Sequence, residues 1–303
     1  INRRSKNGDI FVYDRAGKAL RKINRKGQGG EEYTNIVGIT LDEENNEMYV
    51  NNHFARKIQV YDLHGNFKRS LKQEEGLGAF YTDIFNFDRN NLLCYGKYNK
   101  DGVITLISKQ DGHISKEIKI PFEEKKILQT EDGSTSPGYY PSIIPYNGNW
   151  ILLEHSSDTV YTLSPDYNLH PIIVRTPPIQ SMDPGVYLIL RLISDRYSFM
   201  ETIKNVYDFE TGRGFPKTFF VYDKHEISFF GYTLYNGDFS IKKEIYMSSL
   251  RPVSHESQSL QVLEAHQLVE SYEKGELKGK LKEIAATLDE DSNPVIMLIK
   301  YKK

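Results

Sequence analysis

Residues 10–21, IFVYDRAGKALR, return 48 positions later as IQVYDLHGNFKR, with Ile10/Ile58, Val12/Val60, Tyr13/Tyr61, Asp14/Asp62, Gly17/Gly65 and Arg21/Arg69 identical. A fixed period of that length marks a repeat architecture, and it limits the fold more tightly than any other feature of the chain. Each copy reads as a strand, a polar turn and a second strand. The short Asp side chain bonds its own backbone, and the glycine accepts positive φ. Alternation puts Ile10 and Val12 on one side of the first strand and Phe11 and Tyr13 on the other. Both faces are apolar, so the strand is expected to be covered on both sides.

Weaker copies of the same rhythm occupy 103–120, 159–174 and 218–234, the last restoring Val221-Tyr222-Asp223, and PVIMLIKYKK closes the chain at 294–303. That makes six strands of one kind. Between them lie further paired runs at 36–53, 80–97 and 139–156, each broken by a sharp polar turn (DEENN, DRNN, YNGN) of the sort that joins adjacent antiparallel strands. Four strands per unit, with roughly 45 to 60 residues each, is the pattern of a β-propeller blade. A sandwich or barrel explains the alternation but not the four-strand period. The expectation is an all-β fold: a single-domain six-bladed β-propeller over 1–303 with four-stranded antiparallel blades. Leucines at three- and four-residue spacings break the rhythm and predict a helical insert at about 258–288, divided near Gly275 and Gly279. The first copy begins at an outer strand, so residues upstream of Ile1 are expected to complete the first blade or close the ring.

Composition supports this and removes some functions. Tyr (21) and Phe (15) favour strands. Lys plus Arg is 39 against Asp plus Glu 41, which gives no overall pull toward nucleic acid. No apolar run is long enough to span a membrane. Cys94, the only cysteine, sits among apolar neighbours in NLLCYG and reads as a small core residue.

Several motifs carry candidate chemistry. GQGGEE (27–32) has the glycines of a phosphate cradle but no Lys-Ser/Thr and no following helix, so it reads as a blade-to-blade crossing. His53 and His155 fall at corresponding strand ends, with Lys97 at that level, and are weak metal candidates with no third ligand identifiable. DIFNFD (83–88) and LDEENNE (41–47) lack the ligand spacing of a calcium loop and read as turns. The pairs in HSS (155–157) and SHES (254–257) have no third triad partner. GAFYTD, GYYPS and LILRLISDRYSF each stand near the expected start of an innermost strand. On that placement Tyr81, Tyr139, Tyr140, Arg191, Arg196 and Tyr197 line an aromatic, cationic channel mouth for a carbohydrate, peptide or acidic ligand. Interblade packing of the tyrosines is the competing reading.

Residues 27–67 resemble an NHL-type repeat: a glycine-rich lead-in, two inner strands, then Ile-x-Val-aromatic-Asp. The whole chain resembles the six-bladed propeller proteins, often lipoproteins, of the envelopes of Gram-negative gut anaerobes. The matching residues are Gly27, Gly29, Glu32 and Tyr33, the Val-Tyr-Asp strands and the closing DEDSNPVIMLIKYKK. Gly30 stands where the pattern usually has proline, and Asn52 and Lys57 replace an Asp and Arg that bracket the second hairpin. The resemblance implies export to the periplasm or outer membrane, leaves room for a lipid anchor upstream of residue 1, and supplies no catalytic residues to carry over, activity in such proteins being generally unassigned; no cofactor is expected. The expected function is a non-catalytic module binding an envelope protein, peptide or carbohydrate; the alternative is a lyase or metal-assisted hydrolase working in the central channel.

Overall fold

Both strong copies of the repeat fold into the same bulged hairpin in the computed structural model, which describes residues 7–15, 17–73, 81–254 and 258–301. In the first, β1 (Asp9–Tyr13) pairs antiparallel with β2 (Ala19–Asn24), and the register slips between Val12 and Tyr13. The second copy slips at the equivalent Val60 and Tyr61. The turns match bond for bond: Gly17 N–H donates to Asp14 O (3.1 Å) and Gly65 N–H to Asp62 O (3.0 Å), while each Asp Oδ1 accepts the amide four residues on at 2.9 Å.

The chain divides into two compact units, Ile1–Lys125 and Lys126–Lys303. In the first unit, the β1–β2 hairpin precedes two four-stranded antiparallel meanders. One is β3 (Gly38–Asp42), β4 (Glu47–Asn52), β5 (Lys57–Asp62) and β6 (Phe67–Lys72). The other is β7 (Asp83–Asn86), β8 (Asn91–Tyr95), β9 (Val103–Ser108) and β10 (Ile114–Lys119). Their facing sides share a core of Tyr49, Ile58, Val60, Leu71, Leu92, Cys94 and Ile107. The opposite side of the first sheet packs Met48, Val50 and Tyr61 on Ile10, Ile23 and Tyr33. Strand β5 is thus covered on both faces, as its alternation demands. In β1, by contrast, Phe11 and Tyr13 remain 41% and 38% exposed, while Ile10 on the other side packs into the core shared with the β3–β6 sheet. The same motif is a buried strand in one setting and a half-exposed one in the other.

Among the described residues, the second unit holds three sheets of three or four strands and two two-stranded pairs. β11 (Ile143–Tyr146), β12 (Asn149–Leu152), β13 (Thr159–Leu163) and β14 (Leu169–Val174) form a four-stranded meander. The next contains β15 (Val186–Ile193) and β16 (Tyr197–Lys204), continued after a short hairpin of β17 (Tyr207–Asp208) and β18 (Arg213–Gly214) by β19 (Lys217–Asp223) and β20 (Ser228–Gly231). A two-residue pair, β21 (Leu234–Tyr235) with β22 (Glu244–Ile245), leads to a three-stranded sheet of β23 (Arg251–Ser254), β24 (Gln258–Leu263) and β25 (Val295–Lys300). Ile144, Ile151, Leu190 and Met200 fill one interface, and Leu192, Met247 and Leu250 another.

The fold is therefore all-β, of the propeller class, with antiparallel four-stranded blades and few helices. The blade count is five rather than six: four sheets have four strands and one has three, while β1–β2 stands as a two-stranded hairpin with no inner pair among the described residues. The helical insert is also shorter than expected. Only α1 (Ala265–Glu273) and α2 (Gly279–Ala285) are helical, divided by Gly275 and Gly279 at φ +70° and +58°. Residues 258–263 form a strand because SLQVL pairs on both sides, with β23 and β25, which outweighs its local helical spacing. Among the described residues no helix is long and apolar enough to cross a membrane.

Candidate functional site

In the second unit, the approach to β11, the start of β23 and the middle of β15 meet. Tyr139 and Tyr140 arrive on the proline-flanked segment before β11, where Pro141 disfavours the helical basin for Tyr140. Arg251 opens β23, and its guanidinium lies 5.2 Å from the centroid of the Tyr139 ring. The ring is 37% exposed and Arg251 is exposed, so both present themselves to solvent. Beneath them the register of β15 slips between Leu190 and Leu192, which makes Arg191 the bulged residue and swings its side chain inward. Its Nη1 donates to the Tyr139 carbonyl at 2.8 Å, and its Nη2 donates to Glu201 on β16. Both side chains of that ion pair are almost wholly buried.

The pair leaves polar capacity unused. Arg191 Nε, Glu201 Oε2 and the nearby Tyr232 hydroxyl are buried with no hydrogen-bond partner among the described residues. Burial, with the Glu201 charge adding to it, drives the Tyr232 phenol far up from its ordinary value. Arg191 is therefore a positioning residue: it ties the Tyr139 backbone to the sheet and so fixes the ring on which Arg251 stacks. Tyr140 turns the other way and lies 5% exposed, edge-on to His155 with ring centroids 4.7 Å apart.

The other expected mouth residues stand elsewhere. Tyr81 is 3% exposed in the first-unit core; its hydroxyl accepts from Thr105 Oγ1 (3.1 Å), and its carbonyl accepts from Asn51 Nδ2 (2.7 Å). It packs between blades. Arg196 and Tyr197 lie at the β15–β16 turn, because β15 begins at Val186 and has already run eight residues. An uninterrupted apolar run, VYLILRLI, hides where such a strand starts. At about 3.3 Å per residue, the turn is roughly 23 Å from the strand's beginning. There Arg196 binds Asp223 through Nε and Nη2 (2.7–3.1 Å) and lies 5.0 Å from the Tyr197 ring. The Arg196 hydrogen bonds bring the Asp223 carboxyl down to about 2.

His53 occupies a short 3-10 turn (His53–Ala55), edge-on to Phe54, and burial lowers its pKa. Among the described residues no three His, Cys, Asp or Glu side chains gather as a metal centre, at either histidine or elsewhere. Of the two acidic runs, 41–47 is the turn between β3 and β4, as expected, whereas 83–88 is not a turn throughout: Asp83–Asn86 is strand β7, since its pairing with β8 outweighs the polar residues, and only its end enters a turn. Asp88 accepts the amides of Asn90 and Asn91 at 2.7 Å, and Asp42 accepts from Asn45 and from Lys109 Nζ (2.5 Å). SHES lies partly outside the described residues, since 255–257 are not among them.

Sequence reasoning missed Arg251 and Glu201. Neither has a signal in the linear pattern, because their roles arise only when β23 and the β15 bulge come to the Tyr139 segment. What results is an exposed cation seated on an exposed ring, whose guanidinium has no ion pair among the described residues. Guanidinium chemistry suits such a surface to charge-assisted hydrogen bonds with an anion, a carboxylate above all.

An all-β propeller-class fold with a cationic, aromatic surface patch is the class of protein that this geometry defines. The chain belongs to the family described as Domain of unknown function (DUF4934), which matches residues 1–300. Among curated proteins none matches it. Of solved structures, it is similar to a Bacteroides fragilis protein provisionally described as exported, with 16% identity, a TM-score of 0.66, and 98% of this chain and 86% of that one covered. It is also similar to a member of the DUF4221 family from Bacteroides vulgatus, at 12% identity and TM-score 0.53, covering 97% and 86% of the two chains. These likenesses show a shared fold.

Proposed function

We propose that this chain is an exported, non-catalytic binding module that acts in the periplasm or at the outer membrane and takes a carboxylate-bearing ligand on the Tyr139–Arg251 surface. The observation that carries this reading is the Arg251 guanidinium stacked on Tyr139, with the ring held from behind by the Arg191 bond to its backbone. Export is supported by the description of the Bacteroides fragilis structure and by the envelope-family resemblance. A ring that is fixed before the ligand arrives reduces the ordering cost of binding, and the guanidinium offers a planar fork that a carboxylate fits.

The test is titration calorimetry against a panel of acidic peptides and uronate oligosaccharides. A panel member should bind the unaltered chain, weaken with salt, and lose about tenfold or more in affinity on Arg251→Ala, as expected for a hydrogen bond to a charged group. Binding that survives Arg251→Ala unchanged, or a panel with no binder, rejects the reading.

A further inference from the structure

A second surface, within the first unit, meets different chemistry. The GQGGEE loop, with the end of β2 and the β5–β6 turn, encloses a cleft of about 400 Å³ lined by Arg25, Gly30, Glu31, Glu32, Asn66 and Phe67. That volume lies within the roughly 300–1,000 Å³ range of small-ligand sites. The loop is held from the sheet side: Gln59 Nε2 on β5 donates to the carbonyls of Gly30 (3.0 Å) and Glu32 (2.8 Å), and the Tyr61 hydroxyl donates to that of Glu31 (2.8 Å). The Glu32 carboxylate accepts the Gly29 amide at 2.8 Å and folds so close over Gly27 that a Cβ there would lie 1.9 Å from Oε2. The cleft wall is preformed.

Its side chains keep hydrogen-bonding capacity to spare. Arg25 uses Nε on the Gly65 carbonyl (2.9 Å), and its terminal nitrogens have no partner among the described residues. Asn66 donates its amide to Asp62 (2.7 Å) and leaves its own Oδ1 open, and the Glu31 carboxylate is exposed and unbonded among the described residues. Donors and acceptors thus alternate around one flat apolar surface, the half-buried Phe67 ring.

We infer that this cleft binds a neutral saccharide. An anion meets Glu31 and Glu32, and a cation meets Arg25, so either bears a like-charge penalty. A hydroxyl both donates and accepts, and so satisfies a carboxylate, an amide and a guanidinium in turn, while the C–H face of a sugar ring covers Phe67. A peptide needs an apolar anchor pocket, and the single Phe67 ring supplies none among the described residues; addition of a peptide to the edge of β6 is left as an outcome of the test.

Gly30 provides the decisive variant. Its φ is not positive, and nothing lies within 4 Å of a Cβ built there, so Gly30→Leu fills the cleft without straining the loop. The experiment follows backbone amide shifts of the isotope-labelled full chain on addition of methyl glucoside, methyl galactoside, maltose, cellobiose or chitobiose at millimolar concentration. At least one sugar is expected to shift the amides of Gly29, Gly30, Glu31 and Asn66. Gly30→Leu should weaken that sugar at least about tenfold, equal to about 1.4 kcal/mol, with the spectrum otherwise folded. Arg251→Ala should leave the sugar unaffected, so this inference and the Tyr139–Arg251 reading fail separately. The inference is overturned if no sugar of the panel moves these amides, if Gly30→Leu binds as well as the unaltered chain, or if short acidic or basic peptides shift them and the sugars do not.

Discussion

Arg69 grips both carboxylate oxygens of Glu47, each at 2.7 Å, reaching from β6 across β5 to β4. Lys68 and the Tyr49 hydroxyl also bond that carboxylate at 2.5 Å, and Arg69 donates onward to the Lys109 carbonyl of the neighbouring sheet at 2.6 and 2.8 Å. Lys109 in turn pairs with buried Asp42. Two blades are tied by one charged chain. Burial alone would raise the Glu47 pKa, but the hydrogen bonds from Arg69, Lys68 and Tyr49 win and bring it from 4.5 to about 2. A carboxylate depressed in the folded state adds stability that is complete above its unfolded value and lost as pH falls through the folded one. The window is therefore pH 4.5 down to about 2, and the loss at most about 3 kcal/mol. Urea unfolding followed across that range should show the midpoint falling. Glu47→Gln should cost about 3 kcal/mol at neutral pH and flatten the acid dependence; an unchanged acid slope in that variant would show that other carboxylates carry it.

In the second unit the Arg191–Glu201 pair is buried on both sides. Removing one member strands a charge, whereas removing both removes the conflict. Arg191→Met or Glu201→Leu alone is expected to cost about 3–5 kcal/mol, and the double variant distinctly less than either. Denaturant titration of the three variants gives the coupling directly. Additive losses would mean that the two side chains stabilise the sheet independently.

Cys94 lies wholly buried in β8, and burial pushes its thiol pKa well up. The thiolate is the reactive form, so folded protein should resist iodoacetamide and Ellman's reagent. Labelling should begin only at denaturant concentrations that open the sheet of β7–β10. Prompt labelling in buffer would show that this sheet opens locally well before the rest of the unit.

How much of this the sequence discloses depends on how local the cause is. Asp14, Gly17 and the alternating strand residues act within a dozen positions of one another, so the hairpins, their turns and the blade rhythm are legible. Cys94 is legible for the same reason, as its apolar neighbours adjoin it in the chain. Tyr81 is not: whether a tyrosine before an inner strand lines an opening or fills a core depends on Thr105 and Asn51, which only the folded sheets bring to it. Identical repeat positions diverge in the same way. Arg21 and Arg69 both donate to a carbonyl of the neighbouring sheet, of Leu63 and Lys109, but only Arg69 also grips a carboxylate, because β6 lies in a sheet whose β4 supplies Glu47 whereas β1–β2 has no inner pair among the described residues. The Arg251–Tyr139 contact joins residues 112 positions apart and leaves no trace in either local pattern.

The paired glycines of the repeat turn that divergence into a measurement. Gly17 and Gly65 share the left-handed backbone, at φ +84° and +91°, so replacing either with alanine carries a conformational penalty of about 1–2 kcal/mol. Their surroundings differ. A Cβ at Gly17 meets nothing within 4 Å, whereas one at Gly65 would fall 2.5 Å from Ile23 Cγ2, inside the core that the β1–β2 hairpin shares with the next sheet. Gly17→Ala should therefore show the backbone cost alone. Gly65→Ala should show the same cost plus the displacement of Ile23, typically a further 1–3 kcal/mol for overpacking. Trimming Ile23 to Ala in the Gly65→Ala background frees the space, so the loss there should fall short of the sum of the two single losses. Denaturation midpoints of the four variants decide it. Equal losses at Gly17 and Gly65 would mean that the hairpin does not press on Gly65 in solution, and that the β1–β2 copy is only loosely seated on its neighbouring sheet.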